Sequence, residues 1–273
     1  MEKLLHNLKK NRFLFEQLVH RDFTQKYKRS ILGMGWSVLS PLLTLLIMKI
    51  IFTEFFAKDI PHYTIYLFSG NIILSYYKEA TKNGMNSLVD NAKIFTKINV
   101  PKYMFLLSKN VSALVNFGLQ MVILLVAAAF VGTIVFGANL LFSLLSVLIV
   151  LLYGVGLGLF LAAWNVYLRD IQFMVEVVVM LLMWFSPIVY SWTFVADAFS
   201  MRGLGWLTNV YINNPVTLAV LGFQEAFWAG ASDGVIPDDL AFRMGIASVI
   251  GVFVLWWGQR VFARLQPNFA QEL

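Results

Sequence analysis

Long apolar runs constrain the fold of this chain more than any other feature. A helix needs about 20 consecutive apolar residues to cross the hydrocarbon core of a bilayer. Five segments meet this requirement well, at residues 31–56, 111–136, 140–164, 171–192 and 244–262. Inside lipid every backbone polar group must be paired, so runs of this kind predict helices. The sequence therefore predicts an all-α integral membrane protein.

A sixth span is predicted at residues 63–88, where Lys78, Glu79 and Lys82 interrupt the apolar run. Charged side chains at membrane depth rarely face lipid, so the inner half of this helix should face protein or water. The composition agrees with a membrane protein. Only 13% of the 273 residues are charged, against about a quarter in soluble domains. Too few polar residues remain to cover a water-facing surface.

The distribution of Lys and Arg predicts the orientation. Sixteen of them fall on one side of the six spans, within residues 1–29, 82–109, 169 and 260–264. The other side has only Lys58, Arg202 and Arg243. Cytoplasmic loops carry the excess of positive charge. Both termini of this multi-pass protein are therefore expected in the cytoplasm.

Residues 210–228 are apolar enough to suggest a seventh span. If this segment crossed, Asp233, Asp238 and Asp239 would move inside, whereas Arg260 and Arg264 would move outside. That arrangement reverses the charge rule. We therefore expect one or two short re-entrant or interfacial helices on the outer side, between spans five and six.

Residues 1–30 predict an amphipathic helix that lies in the membrane interface ahead of a transmembrane region at 31–273. Leu4, Leu8, Phe15, Leu18 and Val19 fall near one helical face, and the cations lie elsewhere. Cations at this level gain from anionic headgroups. A plain positive-inside anchor for the first span explains the same pattern.

Residues 91–105 are cytoplasmic in this topology, yet they mix Ile94, Phe95 and Ile98 with Lys93 and Lys97. A simple loop does not need that apolar content. A short amphipathic helix ended by Pro101 would lie on the membrane or insert into the groove of a partner. Composition alone does not decide between the two.

Aromatic residues are dense at the outer ends of the spans, and they include Phe52, Phe55, Trp184, Phe185, Tyr190 and Trp192. An ordinary aromatic belt at the interface explains most such residues. Their number also suits stacking surfaces for sugar rings that pass through the protein.

Catalytic machinery is not visible in the sequence. The chain has no cysteine, its three histidines are scattered, and no GxxxxGK[ST] loop for ATP is present. We therefore predict no catalytic residue, no metal site and no cofactor bound by this chain. Gly154 and Gly158, inside an apolar run, predict close helix packing rather than a phosphate loop.

Several stretches along the chain carry a family resemblance. They are "RDFTQKYKRSILGMGWSVLSPLL" (21–43), "GLGLFLAAWNVYLRDIQF" (156–173), "FSPIVY" (185–190), "NNPVT" (213–217) and "LQPNFAQEL" (265–273). In order and spacing they resemble the permease subunits of ABC polysaccharide exporters of the O-antigen (Wzm-like) type, which are related to teichoic-acid and capsule exporters. The similarity extends over essentially the whole chain.

The resemblance implies a homodimer of six-span subunits with two copies of a cytoplasmic ATP-binding subunit, which would bind ATP and Mg²⁺. The complex would export a glycan on a polyprenyl-pyrophosphate lipid, with no role for nucleic acid. By the same resemblance, residues 91–105 are the coupling helix and residues 194–228 the outer gate helices. The implied sites are an interface site for the pyrophosphate at Arg21, Lys26, Lys28 and Arg29, coupling residues Lys93, Ile94, Phe95, Lys97 and Pro101, and a glycan path or gate formed by the six aromatic residues named above.

Two other functions compete with this one. A drug or small-lipid ABC permease would have the same broad fold. A membrane transferase acting on lipid-linked sugars would need acidic residues or histidine near its substrate, and the sequence offers no convincing set.

Overall fold

The computed structural model describes residues 11–25, 30–56, 60–95, 100–134, 137–228 and 236–269, and within them it contains helices and turns but no strand. The all-α prediction is confirmed for these residues. The helices are α1 (Arg12–Gln25), α2 (Trp36–Phe56), α3 (Tyr63–Asp90), α4 (Ala92–Phe95), α5 (Tyr103–Val131), α6 (Leu140–Tyr167), α7 (Ile171–Trp184), α8 (Trp192–Met201), α9 (Gly205–Ile212), α10 (Pro215–Trp228) and α11 (Leu240–Leu265).

α3 is the central helix of the bundle. Its 28 residues correspond to about 42 Å of helix, and it packs against α5, α6 and α10. Most of its apolar side chains are buried. Lys78 and Lys82 are exposed, and Glu79 is half-buried. α3 thus faces protein along most of its length, as expected for a predicted span that carries charges.

Glycines allow α6 to approach two neighbouring helices closely. A Cβ atom at Gly84 of α3 would lie 3.4 Å from the Cα atom of Gly158, and one at Gly154 would lie 3.3 Å from the Cβ atom of Ala80. The predicted packing role of Gly154 and Gly158 is therefore confirmed. On the opposite side, a Cβ atom at Gly258 of α11 would lie only 2.1 Å from the carbonyl oxygen of Gly156. No larger residue fits at that crossing.

Within the part of the chain that the structure describes, three helices are long and apolar enough to cross a membrane: α5, α6 and α11 with the turn that follows it. Residues Trp36–Ile51 of α2 and the whole of α7 form two shorter apolar helices. Together with the buried α3, these are the helices on which the six-span prediction rests.

Two predicted helices are shorter than expected. The segment 31–56 becomes an α-helix only at Trp36, after a turn in which Gly33 has a φ of 49°. The left-handed conformation of Gly33 is readily available only to glycine. The segment 171–192 ends as a helix at Trp184, because Pro187 lacks the N–H group that a continuing helix needs.

The predicted break in the outer segment is also visible. Residues 210–228 divide into the end of α9 and α10, and the side-chain oxygen of Asn214 accepts a 2.9 Å hydrogen bond from the N–H group of Val216 at the start of α10. Asn before Pro is a typical helix start. α10 has 14 residues, about 21 Å, which is too short for a bilayer core of about 30 Å. This geometry excludes a single continuous helix over 210–228.

The two ends of the bundle differ in charge as predicted. Hydrogen bonds join α1 to Asn91, Lys102 to Gln266 and Tyr167 to Leu265 at one end, which we call the α1 end. Here lie the predicted cytoplasmic cations that the structure describes. Arg243 lies at the far end, where it binds Asp239, Asn213 and Asn209.

Candidate functional site

The predicted interface residue Arg21 fastens α1 to the rest of the bundle. Its guanidinium group donates to the Asp22 carboxylate at 2.6 Å and to the side-chain oxygen of Asn91 at 2.8 Å. The other Asp22 oxygen accepts a 2.8 Å hydrogen bond from the Ser108 hydroxyl of α5. Asn91 in turn donates to the carbonyl group of Ser87 at 2.8 Å. This network, which we call the junction network, ties α1 to α3 and α5.

The charge of Arg21 is largely balanced inside this network. The Asp22 side chain is only 2% exposed, and that of Arg21 is 33% exposed. A carboxylate so deeply buried needs its cation, because an unpaired buried charge is costly. Arg21 therefore has a structural partner at the place where the sequence predicts a ligand contact. Lys26, Lys28 and Arg29 lie outside the described residues, and their role stays a prediction.

α1 also packs through its apolar face. Leu18 is buried, and Leu14 is partly buried, in a cluster that includes Phe105 of α5 and Phe269. Phe13 points away and is 76% exposed. The apolar face of the predicted amphipathic helix thus packs against protein in α1. Leu4 and Leu8, which belong to the same predicted face, lie outside the described residues.

The predicted coupling segment begins directly beside the junction network. Asn91, which binds Arg21, is followed by the single helical turn of α4. Lys93 is exposed there, Ile94 is half-buried, and Pro101 is half-buried just before α5. The side chain of Phe95 and the whole of Lys97 lie outside the described residues. The structure therefore places Arg21, the described residue of the predicted interface site, directly beside the start of the predicted coupling segment.

The C-terminal motif closes this end of the bundle. The Lys102 ammonium group donates to the carbonyl group of Gln266 at 2.9 Å and lies 5.3 Å from the centroid of the Phe269 ring. Burial lowers the pKa of Lys102, because desolvation disfavours its charged form. The rings of Phe262 and Phe269 meet edge to face at 5.5 Å. These contacts hold the end of α11 against the start of α5.

At the far end, the predicted aromatic residues border a loop without helical structure. Trp184 and Phe185 are 61% and 59% exposed, whereas Tyr190 and Trp192 are half-buried. The Tyr190 hydroxyl donates to the carbonyl group of Trp184. These four residues are thus brought together where α7 ends and α8 begins. The side chains of Phe52 and Phe55 lie outside the described residues.

Buried donors from α3 and α10 hold this loop in place. The Tyr66 hydroxyl lies 2.9 Å from the carbonyl oxygens of both Pro187 and Tyr190, which share its single proton. The Gln224 amide also donates to Pro187, at 2.9 Å, and the Tyr63 hydroxyl donates to Val189. Irregular backbone at membrane depth is tolerated only where protein or water satisfies its polar groups. We call this arrangement the loop clamp.

Of the junction network only Arg21 was predicted as a site residue, and of the loop clamp only Tyr190. Tyr63 and Tyr66 were recognised only as two of the aromatic residues at the outer ends of the spans. Pro187 signals that carbonyl groups near the end of α7 need donors. Spacing does not indicate which distant residue supplies them, since Tyr66 and Gln224 are far apart in the chain. Among the side chains that the structure describes, no three His, Asp or Glu residues form a group that could hold a metal ion.

Comparison with known proteins adds an independent finding. The model of the family described as ABC-2 type transporter matches residues 14–228. A protein of Myxococcus xanthus named O-antigen export system permease protein RfbA is 27% identical over 273 residues, which is 100% of both chains. Two Klebsiella pneumoniae proteins of the same name are each 26% identical over 96% of this chain and 96% of their own length.

Proposed function

This chain belongs to the ABC-2 type transporter family, and we propose that it is the permease subunit of an ATP-driven O-antigen exporter. Its cargo is a polysaccharide linked to a polyprenyl pyrophosphate, which it moves across the bacterial cytoplasmic membrane. The observation that carries this proposal is similarity from end to end to permeases of O-antigen export. The apolar helices of the bundle agree with a membrane-spanning subunit.

ATP hydrolysis is assigned to a separate subunit. The 273 residues contain no phosphate-binding loop, and the family is that of ABC transporters. We propose two copies of this chain with two copies of an ATP-binding subunit, which bind ATP and Mg²⁺. Large apolar side chains along α2, α7 and α11 are exposed in the single chain. They offer surface for lipid and for the second copy.

The α1 end is proposed to face the cytoplasm and to bind both the lipid-linked substrate and the ATP-binding subunit. The cations Arg21, Lys26, Lys28 and Arg29 meet the pyrophosphate group at the membrane surface, where each cation gains about 1 kcal/mol. The coupling segment, with Lys93, Ile94, Phe95, Lys97 and Pro101, docks on the ATP-binding subunit. The bond between Arg21 and Asn91 supports a mechanical link between these two events.

The far end is proposed to form the outer gate of the glycan path. Trp184, Phe185, Tyr190 and Trp192, with Phe52 and Phe55, supply the aromatic surfaces that sugar rings contact. The loop clamp supports this role, because it fixes the loop between α7 and α8 relative to α3 and α10. We propose O-antigen rather than teichoic acid as the class of exported polymer, because the similar proteins are named O-antigen export permeases.

ATPase activity of the assembled complex tests the proposal. Polyprenyl-pyrophosphate-linked glycan should stimulate hydrolysis, and the variant Arg21→Gln/Lys28→Gln/Arg29→Gln should lose that stimulation. Labelling of the termini should show an unchanged orientation, because other cations maintain the positive-inside bias. Undiminished stimulation in the variant contradicts the interface site. Stimulation by drugs or short lipids instead of the lipid-linked glycan favours the alternative of a drug or small-lipid permease.

A further inference from the structure

Apart from Arg21 of the junction network, a group of three lysines, Lys78, Lys82 and Lys109, lies around one cavity of the bundle. A cavity of 490 Å³ opens between α1, α3 and α5, and its size is within the range of about 300–1,000 Å³ for small-ligand pockets. All of its lining residues have polar or charged side chains. The lining residues are Asp22, Ser75, Lys78, Glu79, Lys82, Asn83, Lys109 and Ser112.

The two lysines that α3 contributes to this cavity lie about two to three turns from the end of the helix. Lys78 and Lys82 precede Asp90, the last residue of α3, by 12 and 8 residues, which corresponds to about 18 and 12 Å of helix. Both therefore lie well inside the end of a helix that is central to the bundle. Their side chains are exposed rather than packed in the core, so both ammonium groups are accessible to a ligand in the cavity.

Lys78 is the cation of the cavity that is free to bind a ligand. Among the described residues it makes no hydrogen bond and no ion pair, and it acts on Glu176 only through space. Ser75 and Ser112 line the same cavity and offer hydroxyl donors, and Asn83 offers an amide. Two kinds of donor, hydroxyl and amide, thus lie beside the positive charge of Lys78 in this cavity.

The other two lysines have counter-ions that are easily exchanged. Lys82 pairs with Glu176 of α7 at 2.5 Å, and Lys109 pairs with Asp90 at 3.4 Å. The Glu176 and Asp90 side chains are each 50% exposed and do not line the cavity. Exposed ion pairs contribute little to stability. A ligand with higher negative charge can therefore replace these carboxylates on Lys82 and Lys109.

The acidic residues of the lining are already engaged. Asp22 accepts hydrogen bonds from Arg21 and Ser108, and Glu79 accepts a 2.9 Å hydrogen bond from Asn116. Neither carboxylate needs Lys78. When Glu176 and Asp90 are displaced, the cavity thus presents three ammonium groups, beside the carboxylate of Glu79, to a ligand.

We propose that this cavity binds the diphosphate group of the lipid-linked substrate by ion exchange, after the cations at the membrane surface have met it. Within the cavity Lys78 makes the first contact, and Lys82 and Lys109 leave Glu176 and Asp90 for the phosphate oxygens. This inference rests on the proposed function, since that function supplies a diphosphate at the membrane. It also gives the diphosphate a mechanical effect, because binding releases α7 from its ion pair with α3.

Replacement of the carboxylate counter-ions by the diphosphate makes a prediction that electrostatic attraction to the lysines alone does not make. Glu176→Gln removes a competitor of the ligand, so it should tighten diphosphate binding severalfold. Lys78→Gln and Lys82→Gln should weaken it about tenfold each, as expected for the loss of a hydrogen bond between charged groups. Lys78→Arg should retain most of the affinity. Lys49→Gln is the matched control, since Lys49 lines a different cavity beside α2.

Binding is measured on the complex with its ATP-binding subunit in nanodiscs of neutral lipid, with polyprenyl pyrophosphate as the probe. Inorganic pyrophosphate and phosphatidylglycerol are competitors that separate a free or phospholipid phosphate from a lipid-linked diphosphate. Assembly with the partner shows that each variant folds. Unchanged affinity in Lys78→Gln, weaker binding in Glu176→Gln, or equal competition by phosphatidylglycerol overturns the proposal.

The same complexes separate this inference from the function on which it rests. If the wild-type complex stimulates hydrolysis with lipid-linked glycan and Lys78→Gln does so equally, the cavity assignment fails and the exporter assignment stands. If the wild-type complex neither binds polyprenyl pyrophosphate nor responds to the glycan, the proposed function itself fails.

Discussion

Replacing Arg21 by Gln should detach α1 from the bundle, and this is the sharpest structural test of the junction network. The substitution removes the cation from Asp22 and the donor from Asn91. Asp22 then retains only the hydroxyl of Ser108. Because its side chain is 2% exposed, its carboxylate gains little from water.

The magnitude follows from this burial. Removing one partner of a buried ion pair costs about 3–5 kcal/mol. A third of the Arg21 side chain is exposed, so solvent screening reduces the expected cost to about 2–3 kcal/mol. A loss of about 2 kcal/mol in the stability of the attached state raises the population of detached α1 about 30-fold.

Hydrogen exchange measures this population directly, because local opening exposes the backbone amides. Amides of α1 should exchange about 30-fold faster in Arg21→Gln, with little change in α6. Arg12→Gln is the matched control on the same helix, since the Arg12–Glu16 pair is 81% and 56% exposed. Unchanged exchange in Arg21→Gln, or an equal increase in Arg12→Gln, refutes the reasoning.

A double variant separates the two roles of Arg21. Arg21→Gln/Asp22→Asn leaves no buried charge, so it should restore most of the slow exchange of α1. If Arg21 also meets the pyrophosphate, substrate stimulation of the assembled ATPase stays low in the double variant. Full recovery of both properties assigns Arg21 to structure alone.

Three further predictions concern other parts of the chain. Tyr66→Phe leaves the carbonyl groups of Pro187 and Tyr190 without this donor, so thermal unfolding should show that the free energy of unfolding falls by about 1–3 kcal/mol. Tyr167→Phe is the control, because the Tyr167 hydroxyl makes only a 3.4 Å hydrogen bond to Leu265, and it should change the free energy of unfolding little. Phe95→Ala should weaken assembly with the ATP-binding subunit or uncouple hydrolysis from transport, at about 2 kcal/mol or more for an interface anchor; normal assembly and transport contradict the docking role. The purified chain alone should hydrolyse no ATP, because it lacks a phosphate-binding loop; robust turnover disproves the permease assignment.

Much of the architecture could be predicted because apolar length and charge distribution act locally in the sequence. A run such as 140–164 has few alternatives to a helix in lipid, and α6 spans Leu140–Tyr167. The helix at 63–88 was also predictable, since its charges required an environment of protein or water. Helix ends were harder to predict, because Gly33 and Pro187 act through backbone conformation rather than through hydropathy.

The contacts that define the sites could not be predicted, because they join residues distant in the chain. Arg21 was identified as a cation near the membrane, but its partner Asn91 is 70 residues away. Tyr66 looked like an ordinary aromatic residue of α3, yet its hydroxyl holds a loop more than 120 residues later. Lys78 and Glu79 had no explanation in the sequence. The structure gives them one, as the lining of a polar cavity.

The most direct test of the account is a transport measurement. Inside-out membrane vesicles with this chain and its ATP-binding subunit receive polyprenyl-pyrophosphate-linked glycan on their outer face. We predict that ATP drives the glycan into the lumen, where it becomes protected from added glycosidase, and that omission of either subunit abolishes protection. Glycan that stays accessible in the complete, ATP-hydrolysing complex would contradict the proposed export function.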